Sequence, residues 1–379
     1  MFIRFLPPHP SPLPLGEGEK KHTKQEVIIM RRLPIFFLLD VSESMAGDNL
    51  RQLQQGLERL VRSLRTDPHA LETVYLSIIA FAGKAKTLTP LVEVASFYPP
   101  RLPIGSGTAL GNALEHLMAE IDKNVIKTTP DRKGDWKPVV YLMTDGKPTD
   151  NIKNALYRWQ KYYQRQVSLV AIGVGQYADL DALRQLTDQV LHVNAQTEED
   201  FKKFIDWVSQ SVVAQSRSVS ASSEGGVNLA KLDDSILSKI GDLSLAAKVD
   251  EDYVILSGKC QRNRLPYLIK YERLPMSYQN GKFQADFGRY HLVGVLALES
   301  DYYELCDDSM ATPTINTDML VGGAGCPHCG NHYAIAACGN CNQLFCINGE
   351  GEATCPHCQY ENNFRMSEGE GFDISRARG

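Results

Sequence analysis

From Pro34 onward, short runs almost unbroken in apolar, β-branched and aromatic residues alternate with longer stretches whose apolar residues recur at helical spacing. Few architectures satisfy that alternation. IFFLLD (35–40), TVYLSIIAFA (73–82), KPVVYLMTD (137–145) and VSLVAIGVG (167–175) read as strands covered on both faces, because a strand with one wet face would alternate polar and apolar residues. The helical stretches are Leu50 to Leu64, Ala109 to Val125, Ile152 to Tyr163, Leu180 to Leu186, and Glu198 to Val213, the last with Thr197 placed as its N-cap. Strand and helix in turn predict an α/β fold over residues 30–213, a doubly wound and mostly parallel sheet.

After Val213 the pattern stops. Residues 214–245 read as a linker, opening on the Ser/Gly-rich SRSVSASSEGG and containing one short helix from Leu232 to Ile240. YVILSG, PYLIKYE and YHLVGVLALE then predict a second, β-rich domain over residues 246–360, ending in a cysteine cluster. Residues 361–379 read as a flexible tail. At the other end, residues 1–29 are Pro/Gly-rich and then polar, which predicts an unstructured extension with Met30 as a candidate start of translation.

A chain of 379 residues predicts two or three domains, and 43% hydrophobic with 22% charged residues is ordinary for a globular protein. The formal charge of −5 supplies no basic field, so nucleic acid is a disfavoured partner. No run reaches the roughly 18 apolar residues of a membrane-spanning helix, and prolines interrupt the N-terminus before a secretory core forms. The expectation is a cytoplasmic protein with no membrane partner.

The first strand ends in Asp40 and runs into D-x-S-x-S, formed by Asp40, Ser42 and Ser44. A loop leaving the carboxyl end of a strand in an open α/β sheet can turn alternate side chains toward one point. A carboxylate with hydroxyls is a hard donor set, suited to Mg²⁺ or Mn²⁺. Two more strand-end loops add oxygens, Thr108 in GSGTALG and Asp145 in VVYLMTDG, where Gly146 permits a tight turn. Each has a plainer reading, Thr108 as a helix N-cap and Asp145 as a turn former. Asp40 is harder to explain away, because a carboxylate ending a buried strand is costly unless it is paired or on a metal. Asp150 reads as the cap of the next helix. The loops offer no additional His or acidic cluster to serve as general base or second-metal site, and the chain has no phosphate-binding G-x-x-x-x-G-K loop, so an enzyme is not expected.

Seven of the nine cysteines fall between Cys326 and Cys358, as three C-x-x-C pairs and one single residue. Two such knuckles complete the tetrahedron that Zn²⁺ accepts. The two CPHC knuckles, Cys326 with Cys329 and Cys355 with Cys358, are the favoured pairing. Cys338, Cys341 and Cys346 would form a second site with one more ligand from among His332, His291, Cys306 and Cys260. His328 and His357 are expected to support the knuckles rather than ligate. Lys259, Arg262, Arg264, Lys270 and Arg273 read as a solvated face of strands.

FFLLDVSESM, GSGTALG and VVYLMTDGKPTD, in this order, resemble the metal-ion-dependent adhesion site of von Willebrand factor A domains over about residues 30–213. That likeness implies direct metal contacts from Ser42, Ser44 and Thr108, with Asp40 and Asp145 acting through bound water and one position open to an Asp or Glu of a protein partner. Taken with SGKCQRNRLPYLIKYE and the cysteine cluster, the chain after Met30 resembles the TerY type of these proteins from bacterial tellurium-resistance systems. The resemblance implies a C-terminal TerY-C-like zinc module holding one zinc ion or two, and it favours Cys260 for the inner site. It also implies a non-enzymatic adaptor in a cytoplasmic stress-signalling complex, beside a companion protein kinase and a serine/threonine phosphatase. A companion kinase would make Ser216, Ser218, Ser220, Ser222 or Ser223 candidate phosphorylation sites. The alternative is a nucleic-acid-associated protein whose zinc ribbon contacts phosphates, with the first domain as assembly platform.

Overall fold

The computed structural model describes residues 31–145, 147–174, 180–193, 198–221, 229–230, 237–239, 253–273, 277–279, 282–284, 288–306, 313–365 and 371–377. The expected N-terminal extension, Gly146, Thr197, Ser222 and Ser223 lie outside them. The first region comprises β1 (Leu33–Asp40), α1 (Asp48–Thr66), α2 (Pro68–Thr73), β2 (Val74–Phe81), β3 (Ala85–Glu93), α3 (Leu110–Asn124), β4 (Val139–Thr144), α4 (Lys153–Arg158), β5 (Ser168–Val174), α5 (Leu180–Arg184), β6 (Val190–Val193), α6 (Glu198–Ala221) and β7 (Leu237–Lys239).

Every residue of β1 is buried, and its alternating side chains define two layers. Ile35, Phe37 and Leu39 join Leu53, Leu57 and Leu60 of α1 and Phe204 and Ile205 of α6. Phe36 and Leu38 join Leu114 and Leu117 of α3 and Trp159 on the other face. The sheet runs β3-β2-β1-β4-β5-β6-β7, parallel from β2 through β6 and antiparallel at both edges. Strand order reverses between β1 and β4, and in such sheets ligands bind in the crevice at the carboxyl ends of those two strands. Asp40 ends β1 and Asp145 follows β4.

Three expectations change in this region. The helix α6 continues through the serine-rich stretch to Ala221, so the expected linker does not begin at 214. Ser216 is buried with its hydroxyl 3.2 Å from that of Thr73, which removes it as a phosphorylation candidate. Leu237–Lys239, expected within a short helix, pairs antiparallel with β6, so the segment assigned to a linker contributes an edge strand to the first sheet.

The second region comprises β8 (Tyr253–Lys259), β9 (Pro266–Arg273), β10 (Ser277–Gln279), β11 (Lys282–Gln284), β12 (Tyr290–Ala297), β13 (Thr314–Asn316), β14 (Leu320–Val321), β15 (Tyr333–Ala337), β16 (Leu344–Ile347), β17 (Gly351–Thr354), β18 (Glu361–Phe364) and β19 (Asp373–Ser375). Its main sheet has the order β14-β12-β9-β8-β16-β15. The expected flexible tail is structured where described. Here β18 pairs with β17, β19 pairs with β13, Ile374 is buried, and the Ala377 N–H donates to the Ile255 carbonyl at 2.7 Å.

The two regions are packed together. Ala46 and Ile104 of the first join Ile255, Leu268, Leu298, Tyr302, Cys306 and Ala377 of the second in one apolar cluster. Leu305 goes further and is buried in the core of the first region. Its carbonyl accepts from the Lys84 N–H at 3.0 Å, and its Cβ lies where a side chain on Gly105 would stand, so the glycine is required by close approach. Replacing Leu305 with Ala should cost about 2–5 kcal/mol by opening a cavity across the seam. Thermal unfolding followed by circular dichroism checks this, and an unchanged midpoint would show that the seam does not contribute to stability.

Candidate metal centres

The first centre is built from loops at the switch point. Asp40 is fully buried, and its Oδ1 accepts from the Ser42 N–H at 2.9 Å, an Asx turn that bends the chain sharply after β1. Its Oδ2 accepts from Thr144 Oγ1 at 2.5 Å across the β1–β4 pair. Burial pushes the Asp40 carboxyl up to about 6, although the bonds from Thr144 and Ser42 pull it down. After the turn, Ser42 and Ser44 lie side by side with their hydroxyls 3.0 Å apart, and Ser44 Oγ donates to Asp145 Oδ1 at 2.9 Å. Four of the five expected residues are thus joined by hydrogen bonds.

Thr108 stands in the adjacent loop and is not hydrogen-bonded to that cluster. Gly105 N–H donates to the Val41 carbonyl at 2.9 Å, which ties this loop to the one after β1, and Gly107 turns the chain with φ of +87°. The Thr108 N–H donates to Thr149 Oγ1 at 2.9 Å, while its own hydroxyl is buried without a hydrogen-bond partner among the described residues. A buried hydroxyl left unsatisfied costs about 1–3 kcal/mol, so a ligand for that oxygen is expected. Thr108 is not a side-chain N-cap, since Asp150 takes that role by accepting from the Gly111 and Asn112 N–H groups at 3.1 and 2.9 Å. Asp150 therefore caps α3, and the sequence-based expectation that it caps the following helix is not met.

Glu43, the unassigned residue inside D-x-S-x-S, is also buried, and its Oε1 accepts from the Tyr302 hydroxyl at 2.5 Å. Burial first, then the Glu43 charge, holds Tyr302 well above the usual phenol range, so it stays a donor. Ser106 N–H donates to Cys306 Sγ at 3.4 Å beside it. Lys270 Nζ donates to the Ser44 carbonyl at 3.5 Å. The second region therefore meets two of the three ligand-bearing loops. None of these contacts follows from a local motif; the one clue was the acidic residue in a segment otherwise destined for burial.

The cysteines form two tetrads, and the pairing differs from expectation. Cys260, Cys326, Cys329 and Cys346 come together, as do Cys338, Cys341, Cys355 and Cys358, with the four sulfurs of each group within 4.8 Å of one another. The two CPHC knuckles thus sit in different sites. Neighbouring sulfurs such as Cys329 and Cys346 at 3.6 Å, Cys338 and Cys358 at 3.6 Å, and Cys341 and Cys355 at 3.8 Å match the edge of a tetrahedron. A Zn–S bond of about 2.3 Å requires an edge of about 3.8 Å, so both tetrads fit zinc.

A repeated turn explains the division. At Cys260, Cys326, Cys338 and Cys355 the N–H donates to the carbonyl five residues on, and the carbonyl accepts from the N–H four residues on. The fourth residue after each cysteine is left-handed: Arg264, Gly330, Asn342 and Gln359 have φ of 61°, 75°, 55° and 63°. The CQRN segment is thus a knuckle with Asn263 in the place of its second cysteine, and Cys346 supplies the missing thiol. His328 Nε2 donates to the Pro266 carbonyl at 2.8 Å and His357 Nε2 to the Leu344 carbonyl at 3.1 Å, so each CPHC histidine braces the partner turn of its own site. His332, His291 and Cys306 take no part. Burial raises the Cys338 thiol, but the Cys341 and Asn340 N–H groups and the Asn362 amide outweigh it and bring it to about 6, whereas burial pushes Cys341 up to about 12 and also raises Cys355, so the tetrad holds its thiols unequally.

Comparison with known proteins follows these regions. The von Willebrand factor type A domain matches residues 35–210, and the TerY-C metal binding domain matches residues 250–379. Chicken (Gallus gallus) matrilin-3 is 24% identical over 185 residues, covering 47% of this chain and 39% of its own. Mouse (Mus musculus) inter-alpha-trypsin inhibitor heavy chain H2 is 25% identical over 201 residues, covering 46% and 20%. Among solved structures, mussel proximal thread matrix protein 1 with a zinc-occupied MIDAS motif is 20% identical with a TM-score of 0.36, covering 48% of each chain. A von Willebrand factor type A protein from Catenulispora acidiphila is 16% identical with a TM-score of 0.39, covering 48% of this chain and 43% of that one. The chain spans less than half the length of these relatives. Its first region is a von Willebrand factor A domain, a class whose members serve in protein–protein interaction. As a whole the chain belongs to the TerY type, which joins that domain to a C-terminal metal-binding module.

Two outcomes are expected. Metal binding needs the Asp40 carboxylate, whose proton must leave below pH about 6, so affinity should weaken as pH falls through that value, approaching about tenfold per pH unit. Titration of the zinc-loaded protein with Mn²⁺, followed by electron paramagnetic resonance at about pH 5 and 7.5, measures it; equal affinities would exclude Asp40 from the site. Zinc analysis by atomic emission should find two ions per chain, falling to about one in Cys260→Ser. An unchanged count in that variant would reject the observed tetrads.

Proposed function

We propose that this protein is a non-catalytic adaptor that grips an acidic group of a protein partner through Mg²⁺ bound at Asp40, Ser42, Ser44, Thr108 and Asp145. The observation that carries the reading is the buried Thr108 hydroxyl, without a partner among the described residues, next to a hydrogen-bonded cluster of hard oxygen donors at the sheet's switch point. When bound, the cation supplies a Lewis-acidic position that a carboxylate oxygen can complete.

The chain's residues do the rest. The Asx turn at Asp40 presents both serine hydroxyls on one side of the loop. Thr149 and Asp150 hold the backbone of the Thr108 loop and the start of α3. Asp40 and Asp145 are the two carboxylates of this five-residue set, which leaves a place among the cation's ligands for a carboxylate from a partner. Zinc at the two cysteine tetrads would keep the second region folded, a structural task. The resemblance to TerY-type proteins supports a setting in a cytoplasmic tellurium-resistance or stress-signalling complex, with a kinase and a serine/threonine phosphatase as companions. Cysteines gathered in metal-type tetrads rather than in disulfides suit such a reducing compartment.

Affinity capture from source cells with wild type and Asp40→Ala tests this. The wild type should retain a partner that EDTA releases and Mg²⁺ restores, and the variant should lose it. A partner set indifferent to both the substitution and the chelator would refute the metal grip.

A further inference from the structure

Lys270 is a residue of the zinc-binding region whose charge is directed at the other domain. It lies on β9, and its Nζ sits 3.5 Å from the Ser44 carbonyl and 4.6 Å from the centroid of the Tyr253 ring. The Tyr253 ring faces the ammonium, while the Tyr253 hydroxyl donates to Glu272 Oε1 at 3.2 Å. Among the described residues Lys270 makes no ion pair, although nine other contacts of that kind are present. A half-buried ammonium without a carboxylate is uncommon, since desolvation is then offset only by the ring and one carbonyl.

Its position relative to the oxygen cluster follows from covalent geometry. The carbonyl and hydroxyl oxygens of one serine are no more than about 4–5 Å apart, so Nζ stands within about 8 Å of Ser44 Oγ. The metal would stand about 2 Å beyond Oγ, so the two cationic positions are no more than about 10 Å apart and exceed what one carboxylate needs. They match two neighbouring carboxylates on one short segment.

We infer that Lys270 is a specificity-determining residue of a composite site formed by both domains, which selects partners carrying two adjacent acidic side chains, one for the metal and one for the ammonium. This rests on the reading of the oxygen cluster as a Mg²⁺ site. It also gives the zinc-binding region a direct role in recognition, because β9 is held by the sheet that the cysteine tetrads brace.

The test uses the full-length, zinc-loaded protein with Mn²⁺ in the oxygen site and water-proton relaxation as the readout, since a carboxylate that displaces metal-bound water lowers the enhancement. Asp40→Ala provides the blank. The probes are two acetylated, amidated peptides, Gly-Asp-Asp-Gly and Gly-Asp-Asn-Gly. Wild type should bind the first more tightly by roughly three- to fivefold, the range of a partly exposed ion pair. At saturating Mn²⁺, Lys270→Ala should abolish the preference and Lys270→Arg should retain it. Equal preference in wild type and Lys270→Ala, with both peptides displacing water, would overturn the inference and leave the metal grip standing. No displacement by either peptide in Mn²⁺-loaded wild type would overturn both.

Discussion

A single carboxylate, Asp40, sets the terms for the first domain. It closes a strand whose eight residues are all buried, so its charge stands where solvent cannot reach it. The Ser42 N–H and the Thr144 hydroxyl only partly offset that burial, which is why the carboxyl is held up at about 6. A strand ending in an apolar residue would be more stable locally. The same two hydrogen bonds fix the turn that aligns Ser42 with Ser44, and the reversal of strand order beside β1 leaves room above them. Geometry and electrostatic cost thus converge on one point, and a cation there would relieve the cost.

The loop after Asp40 is held from outside its own domain as well. Tyr302 bonds to Glu43, Cys306 accepts from Ser106, and Leu305 fills space that Gly105 leaves open. One short segment of the second region therefore fastens both the D-x-S-x-S loop and the Thr108 loop. With these loops pinned at their bases, the side chains that face the crevice have less freedom to lose on binding a ligand, which favours affinity through preorganisation.

Much of this was legible from residue order. The central strands, the helices on both faces and the five oxygen residues follow from apolar runs and strand-end spacing, because local pattern and burial agree there. The edge strand β3 and the inner strand β6 do not stand out in the apolar pattern: β3 is only half-buried and its alternation is weak, while β6 is four residues long. Leu237–Lys239 is a strand despite its helical spacing because pairing with β6 overrides it. The cysteine division was hidden for a different reason. Identical CPHC knuckles suggest mutual pairing, but each pairs with a turn that precedes it in the chain, and the turn at Cys260 has lost its second thiol to Asn263. The six-residue interval from Cys260 to Pro266, matching that from Cys338 to Leu344, was the available signal.

Why zinc-type sites should stand in a domain that contacts the other through a sheet follows from its size. Tyr267 and Tyr271 bury large rings in that sheet, yet the cluster around them is completed by Cys260, Cys326 and Cys346 rather than by a second layer of helices. The Tyr267 hydroxyl donates to the Ala334 carbonyl at 2.7 Å, which links β9 to β15 beyond the first tetrad. A metal at Cys260 would join the end of β8 to β16 and the first CPHC knuckle, so the strands carrying Ile255, Leu268 and Lys270 would move as one body. Stiffness in that body is what lets a side chain from one domain be placed accurately beside the ligands of the other.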